Sequence, residues 1–269
     1  MTDPDTGAAL RSLYAPRGGV AEVFSTKVRD YLASRPDYPD ALFDALRAAG
    51  VLRAGATVAD IGAGTGLLTR GLLQRGCEVV AVEPSAEMRA AADRLLASFP
   101  RYRSVDGNAE HMPLADGSVD AVTAAQAFHW FEVEAARAEC LRVLRPEGQV
   151  VLIWNDRLLS DPVHVALNAI LDAYGGERRS ALVAHESEHG QVQRFFGRAK
   201  PAELAFPHEH GLDEAGLVSL VFSRSYMPAR ESDAGREAAS ALGELFRRFA
   251  ADGRVAVRYT TTAIVGRPR

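Results

Sequence analysis

The chain is expected to adopt an α/β fold, with a doubly wound, mostly parallel sheet of seven strands, on three observations. From residue 57 onward, short apolar runs bounded by Gly, Pro, Asp or Ser alternate with longer stretches of helical period, which is how strands joined by crossover helices read. The first such run passes straight into a glycine-rich turn and then a helical pattern. The C-terminal residues 255–265 return to an alternating, β-rich pattern after two helical stretches, which supplies an antiparallel last strand. With 269 residues, 47% hydrophobic and 25% charged, the chain is long enough to bury one large core, so one globular unit is expected.

In chain order, the first twenty residues carry Pro4, Gly7, Pro16, Gly18 and Gly19 without a sustained period and read as a flexible arm. Phe24, Val28, Tyr31 and Arg35 then fall on one face of a helix that Pro36 stops, an N-terminal helical lid. Asp40 is placed as the cap of a second helix, 41–49, closed by Gly50. Strands follow at 57–60, 78–83, 102–106, 119–125 and 149–154, with helices at 67–75, 86–98 and 133–144 between them, the last closed by Arg145-Pro146-Glu147-Gly148. From Asp161 to Lys200 the alternation lapses into a mostly helical insertion after strand five. It resumes with a strand at 203–206, helices at 213–222 and 236–250, and the β-rich end. The expected organisation is an arm and lid at 1–40, a cofactor-binding core at 41–154, a helical cap at 155–202, and C-terminal strands and helices at 203–269 that complete the sheet.

Composition bounds the partners. No stretch reaches the roughly 20 uncharged apolar residues that cross a bilayer, and Met1 to Gly7 lacks the basic-then-apolar order of a secretory signal, so a cytoplasmic protein without a membrane partner is expected. A net charge of −4 with scattered Lys and Arg argues against nucleic acid. The two cysteines, Cys77 and Cys140, lack the spacing of a zinc or redox pair and read as buried fillers. A small-molecule substrate and a monomer or homodimer are the remaining expectation.

The chemistry concentrates at Val58-Ala59-Asp60-Ile61-Gly62-Ala63-Gly64-Thr65-Gly66. Glycines there let the backbone approach a ligand, and the next helix offers unpaired N–H groups. A turn of this kind also fits nicotinamide or flavin binding, or a purely structural role. Three details bear on the choice. The dinucleotide fingerprint wants its third glycine where this chain has Leu67. Asp60 would repel an incoming pyrophosphate but not a sulfonium amino acid. Glu83 ends the second strand, where a carboxylate can accept both hydroxyls of a ribose in either cofactor.

Together, Asp60-Ile61-Gly62-Ala63-Gly64-Thr65-Gly66, Val82-Glu83-Pro84-Ser85, Gly107-Asn108-Ala109-Glu110, Phe128-His129-Trp130 and Leu144-Arg145-Pro146-Glu147-Gly148 resemble the class I S-adenosylmethionine-dependent methyltransferases. The similarity is to those related to the trans-aconitate and ubiquinone-pathway enzymes, and it covers about residues 24–154. Tyr31 to Pro39 resembles the Tyr-x-x-x-Arg-Pro-x-Tyr-Pro opening of one branch. The resemblance implies S-adenosyl-L-methionine as cofactor. Its methionine part would lie against Asp60, Gly62, Ala63, Gly64 and Gly66, and its ribose on Glu83 beside Pro84. The adenine edge would meet Asn108 and the Ala109 backbone, with Gln126 near the methionyl end. Many relatives carry Asp at position 108, so an amide replaces a carboxylate here. Arg35 could pair with the cofactor carboxylate, or be only a helix-end cation.

His129 follows the fourth strand at the edge where open α/β sheets bind ligands, and reads as a base, a substrate-shaping residue or structure. Phe24, Tyr31, Trp130, Trp154 and Tyr226 are candidates for an aromatic substrate pocket, with core packing as the alternative for at least half of them. His185 with His189, and His208 with His210, have metal-like spacing without a strong ligand signature, so no metal is expected. The resulting expectation is methyl transfer to an O, N or C nucleophile of a small metabolite. The alternatives are a nicotinamide oxidoreductase and a non-catalytic cofactor-binding sensor or scaffold.

Overall fold

The structure, a computed structural model, describes residues 11–25, 27–186 and 190–269. The strands are β1 (Thr57–Ile61), β2 (Glu78–Val82), β3 (Tyr102–Val105), β4 (Val119–Ala125), β5 (Leu144–Arg157), β6 (Ala202–Leu212) and β7 (Val255–Gly266). They form one sheet in the order β3-β2-β1-β4-β5-β7-β6. The first five are mutually parallel and the C-terminal strands antiparallel, a Rossmann-like arrangement. The helices are α1 (Gly19–Ser25), α2 (Val28–Ser34), α3 (Asp40–Ala48), α4 (Leu67–Gln74), α5 (Ala86–Leu96), α6 (Val133–Val143), α7 (Pro162–Glu186), α8 (Gly190–Phe196), α9 (Glu214–Phe222) and α10 (Asp233–Phe249).

Where composition suggested one core, the described residues gather into two compact units. One, the sheet unit, holds 37–155, 190–206 and 261–269; the other, the helical unit, holds 11–36, 156–186 and 207–260.

Within the sheet unit, successive residues of the inner strands alternate between two apolar layers. Val58, Val79, Ala121, Val151 and Ile153 pack with Leu42, Phe43, Leu46, Leu68 and Leu72. Ala59, Val80, Val122, Val150 and Leu152 pack with Phe128, Ala136, Cys140, Val143, Phe195 and Phe196. A strand buried on both faces has no polar side to show, so these segments read in sequence as near-continuous apolar runs. Helix starts follow side-chain caps: Ser85 accepts from the Met88 N–H, and Glu132 from the Ala135 N–H.

The helical unit is built on α2 packed against α9 and α10 packed against α7 and α9. Its interior includes Leu167, Leu171, Leu217, Leu220, Phe222, Leu242 and Tyr259. Helix α7 is broken at Gly176, whose φ of 59° and ψ of −157° lie in a region essentially closed to residues with a Cβ.

Several boundaries differ from the sequence reading. The lid helix is two helices, because the Lys27 N–H bonds to the Phe24 carbonyl in a tight turn and starts the coil afresh; Phe24 and Tyr31 therefore lie on different helices. Pro39, not Asp40, occupies the cap of α3 without a side-chain bond, and Asp40 instead lies in the first turn, where a negative charge suits the helix N-terminus. Strand β5 begins at Leu144 rather than 149: α6 does stop at Val143, but Leu144 already pairs with Val119, and a register irregularity between Val119 and Ala121 takes up the intervening residues. Strand β6 runs through Pro207 to Leu212, since an edge strand tolerates a missing N–H.

Candidate functional site

The C-terminal ends of β1, β2, β4 and β5 meet at one edge of the sheet unit. The turn after β1 holds Gly62, Gly64 and Gly66 at φ of 63°, 57° and 83°. A Cβ on Gly62 would come within 2.7 Å of the Ala127 Cβ, so both conformation and space require glycine there. The turn is tied to β2 by the Gly62 N–H, which donates to the Val82 carbonyl at 2.8 Å.

Under this turn lies Asp60, fully buried. Register places Thr123 of β4 beside it, and α4 brings Thr69 from above. The two hydroxyls donate to Asp60 Oδ1 at 2.8 Å and Oδ2 at 2.6 Å. Burial pushes its carboxyl up to about 6, opposed by the two threonine bonds and assisted by nearby Glu83. Asp60 thus acts on the turn from beneath; its oxygens face threonines in a dry interior.

Glu83 ends β2 with its carboxylate held across the turn. Oε2 accepts from the Gly64 N–H at 2.9 Å and Oε1 from the Ser85 N–H at 2.9 Å. Burial raises its carboxyl above the ordinary range, while those two N–H bonds pull the other way. Each oxygen keeps acceptor capacity beyond the one bond it receives. Pro84 follows, exposed. Asn108 is exposed, and its Oδ1 accepts from the His111 N–H at 2.8 Å, closing a short turn over buried Ala109.

Beyond β4, Gln126 adopts a φ of 56°, a left-handed conformation that costs a residue with a Cβ about 1–2 kcal/mol. Its N–H donates to the Ile153 carbonyl at 2.9 Å. Its side-chain amide lies 3.5 Å from the carbonyl of Asn155, whose own side chain accepts from Thr261 at 2.6 Å. The reversal at Gln126 throws Phe128-His129-Trp130 into a short 3-10 turn. The half-buried His129 ring lies 4.8 Å from that of Trp130. Phe128 anchors the turn from below, edge-on to Phe131, Trp154 and Phe195 at 5.7, 6.1 and 5.4 Å.

The sheet unit therefore brings together Asp60, Gly62, Ala63, Gly64, Gly66, Glu83, Pro84, Asn108, Ala109, Gln126, His129, Trp130 and Trp154. The other four expected residues belong to the helical unit. Arg35 donates from Nε to Ser223 Oγ at 2.9 Å and from Nη2 to the Ser223 carbonyl at 3.3 Å, with its guanidinium over the Tyr31 ring. Burial lowers the basicity of that guanidinium. Tyr226 is buried, its hydroxyl 3.4 Å from Nη1 of Arg179. Phe24 is half-buried on α1.

Of the histidines, His189 lies outside the described residues, as does the side chain of His185. His210 bonds the Ser34 carbonyl at 3.0 Å and His208 lies against Tyr259. Among the described residues no three His, Cys, Asp or Glu side chains converge as metal ligands. Thr69, Thr123 and Asn155 escaped the sequence reading because their roles depend on strand register and on which strand ends meet.

Comparison with known proteins decides the family. A family model described as a methyltransferase domain matches residues 59–152. An uncharacterised methyltransferase-like protein of Schizosaccharomyces pombe is 34% identical over 207 residues, covering 77% of this chain and 78% of that protein. The chain belongs to the S-adenosylmethionine-dependent methyltransferases. An uncharacterised methyltransferase of Mycobacterium tuberculosis (strain H37Rv) is 46% identical over 134 residues, 50% of this chain and 52% of that protein, so the match spans about half the length of that relative. A solved structure from Anaeromyxobacter dehalogenans described as a type II methyltransferase superposes with a TM-score of 0.61 at 24% identity, covering 87% of this chain and 97% of that one, and shares the fold. For a methyltransferase, the missing third glycine of the dinucleotide fingerprint at Leu67 follows naturally. Among the described residues of this methyltransferase no helix is long and apolar enough to cross a membrane.

Proposed function

We propose that this methyltransferase moves the methyl group of S-adenosylmethionine to an oxygen, nitrogen or carbon nucleophile of a small metabolite. The observation that carries the reading is the Glu83 carboxylate, fixed by the Gly64 and Ser85 N–H groups beside a turn that only glycine can make. A buried acceptor-only group with lone pairs to spare suits a ribose diol, so the residues present fit the cofactor. Gly62 to Gly66 would hold the methionine part, Asn108 and Ala109 the adenine, and Gln126 would stand near the methionyl end. With Asn108 Oδ1 engaged by His111, its amide N–H groups would be the donors left for an adenine edge.

When bound, S-adenosylmethionine supplies an electrophilic methyl on sulfur and departs as the thioether. The protein's task is alignment of the nucleophile and exclusion of water, since in-line displacement asks for little else. Strain at Gln126 fixes where the following turn leaves the sheet, and Phe128 holds that turn in the core. His129 and Trp130 thereby form one wall for the substrate. His129 takes the proton of a hydroxyl nucleophile, or holds it by a hydrogen bond.

Calorimetry with S-adenosylhomocysteine tests the reading. Glu83→Ala is expected to weaken binding by about 1–3 kcal/mol, about 5- to 150-fold, through loss of charge-assisted bonds. Undiminished affinity in that variant would remove Glu83 from the site.

A further inference from the structure

At the opposite edge of the sheet, where β1, β4 and β5 begin, the sheet unit contains a cavity of about 360 Å³. Its apolar lining is Val51 and Pro146, beside the backbones of Gly50 and Gly148. Its charged lining includes Arg53 and Arg145, which converge on Asp120. Arg53 Nη2 donates to Oδ1 at 2.9 Å, and Arg145 Nη1 and the Thr57 N–H donate to Oδ2 at 2.6 and 2.8 Å. Burial opposes the Asp120 charge, but Thr57, Arg145 and Arg53 outweigh it and hold the carboxyl below the ordinary range.

Asp120 thus gathers two exposed guanidinium groups at one carboxylate, and most of their ten N–H donors remain beyond the bonds it takes. Two cations with one saturated carboxylate leave one positive charge there. The segment bearing Arg145 is itself held in place: Arg267 donates to the Arg145 and Gly148 carbonyls at 2.8 and 2.9 Å. A Cβ on Gly148 would meet Leu144 Cδ2 at 2.7 Å and the Asp120 carbonyl at 2.9 Å, so that segment packs too closely to shift. Pre-set donors lower the ordering cost of binding, and the volume lies at the lower end of the range for ligand cavities. Exposed Glu147 on the rim limits the charge that is welcome, because a second negative group would meet its carboxylate.

We propose that this cavity is a second ligand site, separate from the cofactor edge, for a small monoanionic metabolite with an apolar body, its anionic group on Arg53 and Arg145 and its body on Val51 and Pro146.

Benzoate is a suitable probe, titrated into the full chain saturated with S-adenosylhomocysteine and followed by amide NMR shifts. Saturable shifts are expected at Gly50, Val51, Gly148 and Gln149, without displacement of the cofactor product. Arg145→Gln should weaken benzoate at least tenfold. Arg53→Gln, at a more exposed position, should do the same should Arg145→Gln fail to fold. Citrate should bind at least tenfold more weakly than benzoate, and Glu147→Gln should narrow that gap. Absence of saturable shifts, shifts confined to 62–66, or identical benzoate binding in Arg53→Gln would overturn the proposal.

Discussion

The buried carboxylates at the ligand edge of the sheet unit and the stacked guanidinium groups of the helical unit are secured in different ways. At the ligand edge of the sheet unit two buried carboxylates are held by short, uncharged donors: Asp60 by two threonine hydroxyls, Glu83 by two backbone N–H groups. Those donors sit on strand β4, on the first turn of α4 and in tight turns, whose geometry leaves little room to adjust. In the helical unit, guanidinium groups lie over aromatic rings, Arg35 over Tyr31 and Arg179 over Tyr226, and the longest helix carries a break at Gly176. Fixed backbone donors suit a cofactor that is always the same.

If that contrast is real, the largest effect should come from disturbing the glycine turn. Gly62→Ala forces a Cβ into a left-handed backbone, at about 1–2 kcal/mol, and against a neighbour with no flexible tip to yield, at about 1–3 kcal/mol. The combined loss of about 3 kcal/mol should lower Tm by about 6–12 °C in a scanning calorimetry experiment. Affinity for S-adenosylhomocysteine should fall more than tenfold. A variant of unchanged Tm would show that the turn is softer than its contacts imply.

Asp60 sharpens the same side of the comparison through pH. Its carboxyl titrates at about 6 in the folded chain against 3.8 ordinarily, so the folded state prefers it protonated. Stability from this group is therefore complete below about pH 4 and is lost as pH rises through about 6, by about 2–3 kcal/mol once both states are ionised. Asp60→Asn does not titrate, and its amide can still accept from one threonine and donate to the other. Urea denaturation should find the variant gaining on the native chain by about 2–3 kcal/mol between pH 4 and 7.5. A difference that is flat with pH would mean that Asp60 is ionised throughout without penalty.

The contrast also explains which features were legible in sequence. The turn at 62–66 and Glu83 could be read because each depends on a few adjacent residues at one strand end. The inner strands could be read because burial on both faces leaves an unbroken apolar run. By contrast, Thr123 serves Asp60 only through strand register and Thr69 only through the way α4 packs over β1, neither of which a local pattern encodes. The early start of β5 and the length of β6 were hidden because Pro146 and Pro207 look like terminators unless the neighbouring strand is known. The division of the N-terminal helix at Lys27 rests on a choice between one carbonyl and the next, a few tenths of a kcal/mol in propensity, which tertiary packing overrides.

Arg35 offers the smallest effect on stability and the sharpest test of the helical unit. Among the described residues no carboxylate pairs with it; its side chain meets Ser223 and the Tyr31 ring. Burial already weighs against its charge. Replacing a buried cation by an apolar side chain of similar length tends to be neutral or mildly stabilising when no counter-ion is lost. The Ser223 hydroxyl keeps its bond to the Leu220 carbonyl at 2.7 Å, and the Ser223 carbonyl loses a long bond of 3.3 Å, at a cost of about 1 kcal/mol or less. Arg35→Met should therefore shift Tm by no more than about 2 °C. If the guanidinium pairs with the carboxylate of the cofactor, the same variant should bind S-adenosylhomocysteine about tenfold or more weakly, for loss of a charge-assisted pair. Arg35→Lys should restore only part of that loss, because an ammonium cannot grip a carboxylate through two parallel bonds. Unchanged affinity in Arg35→Met, with unchanged Tm, would reduce Arg35 to a cation at a helix end and leave cofactor binding wholly to the sheet unit.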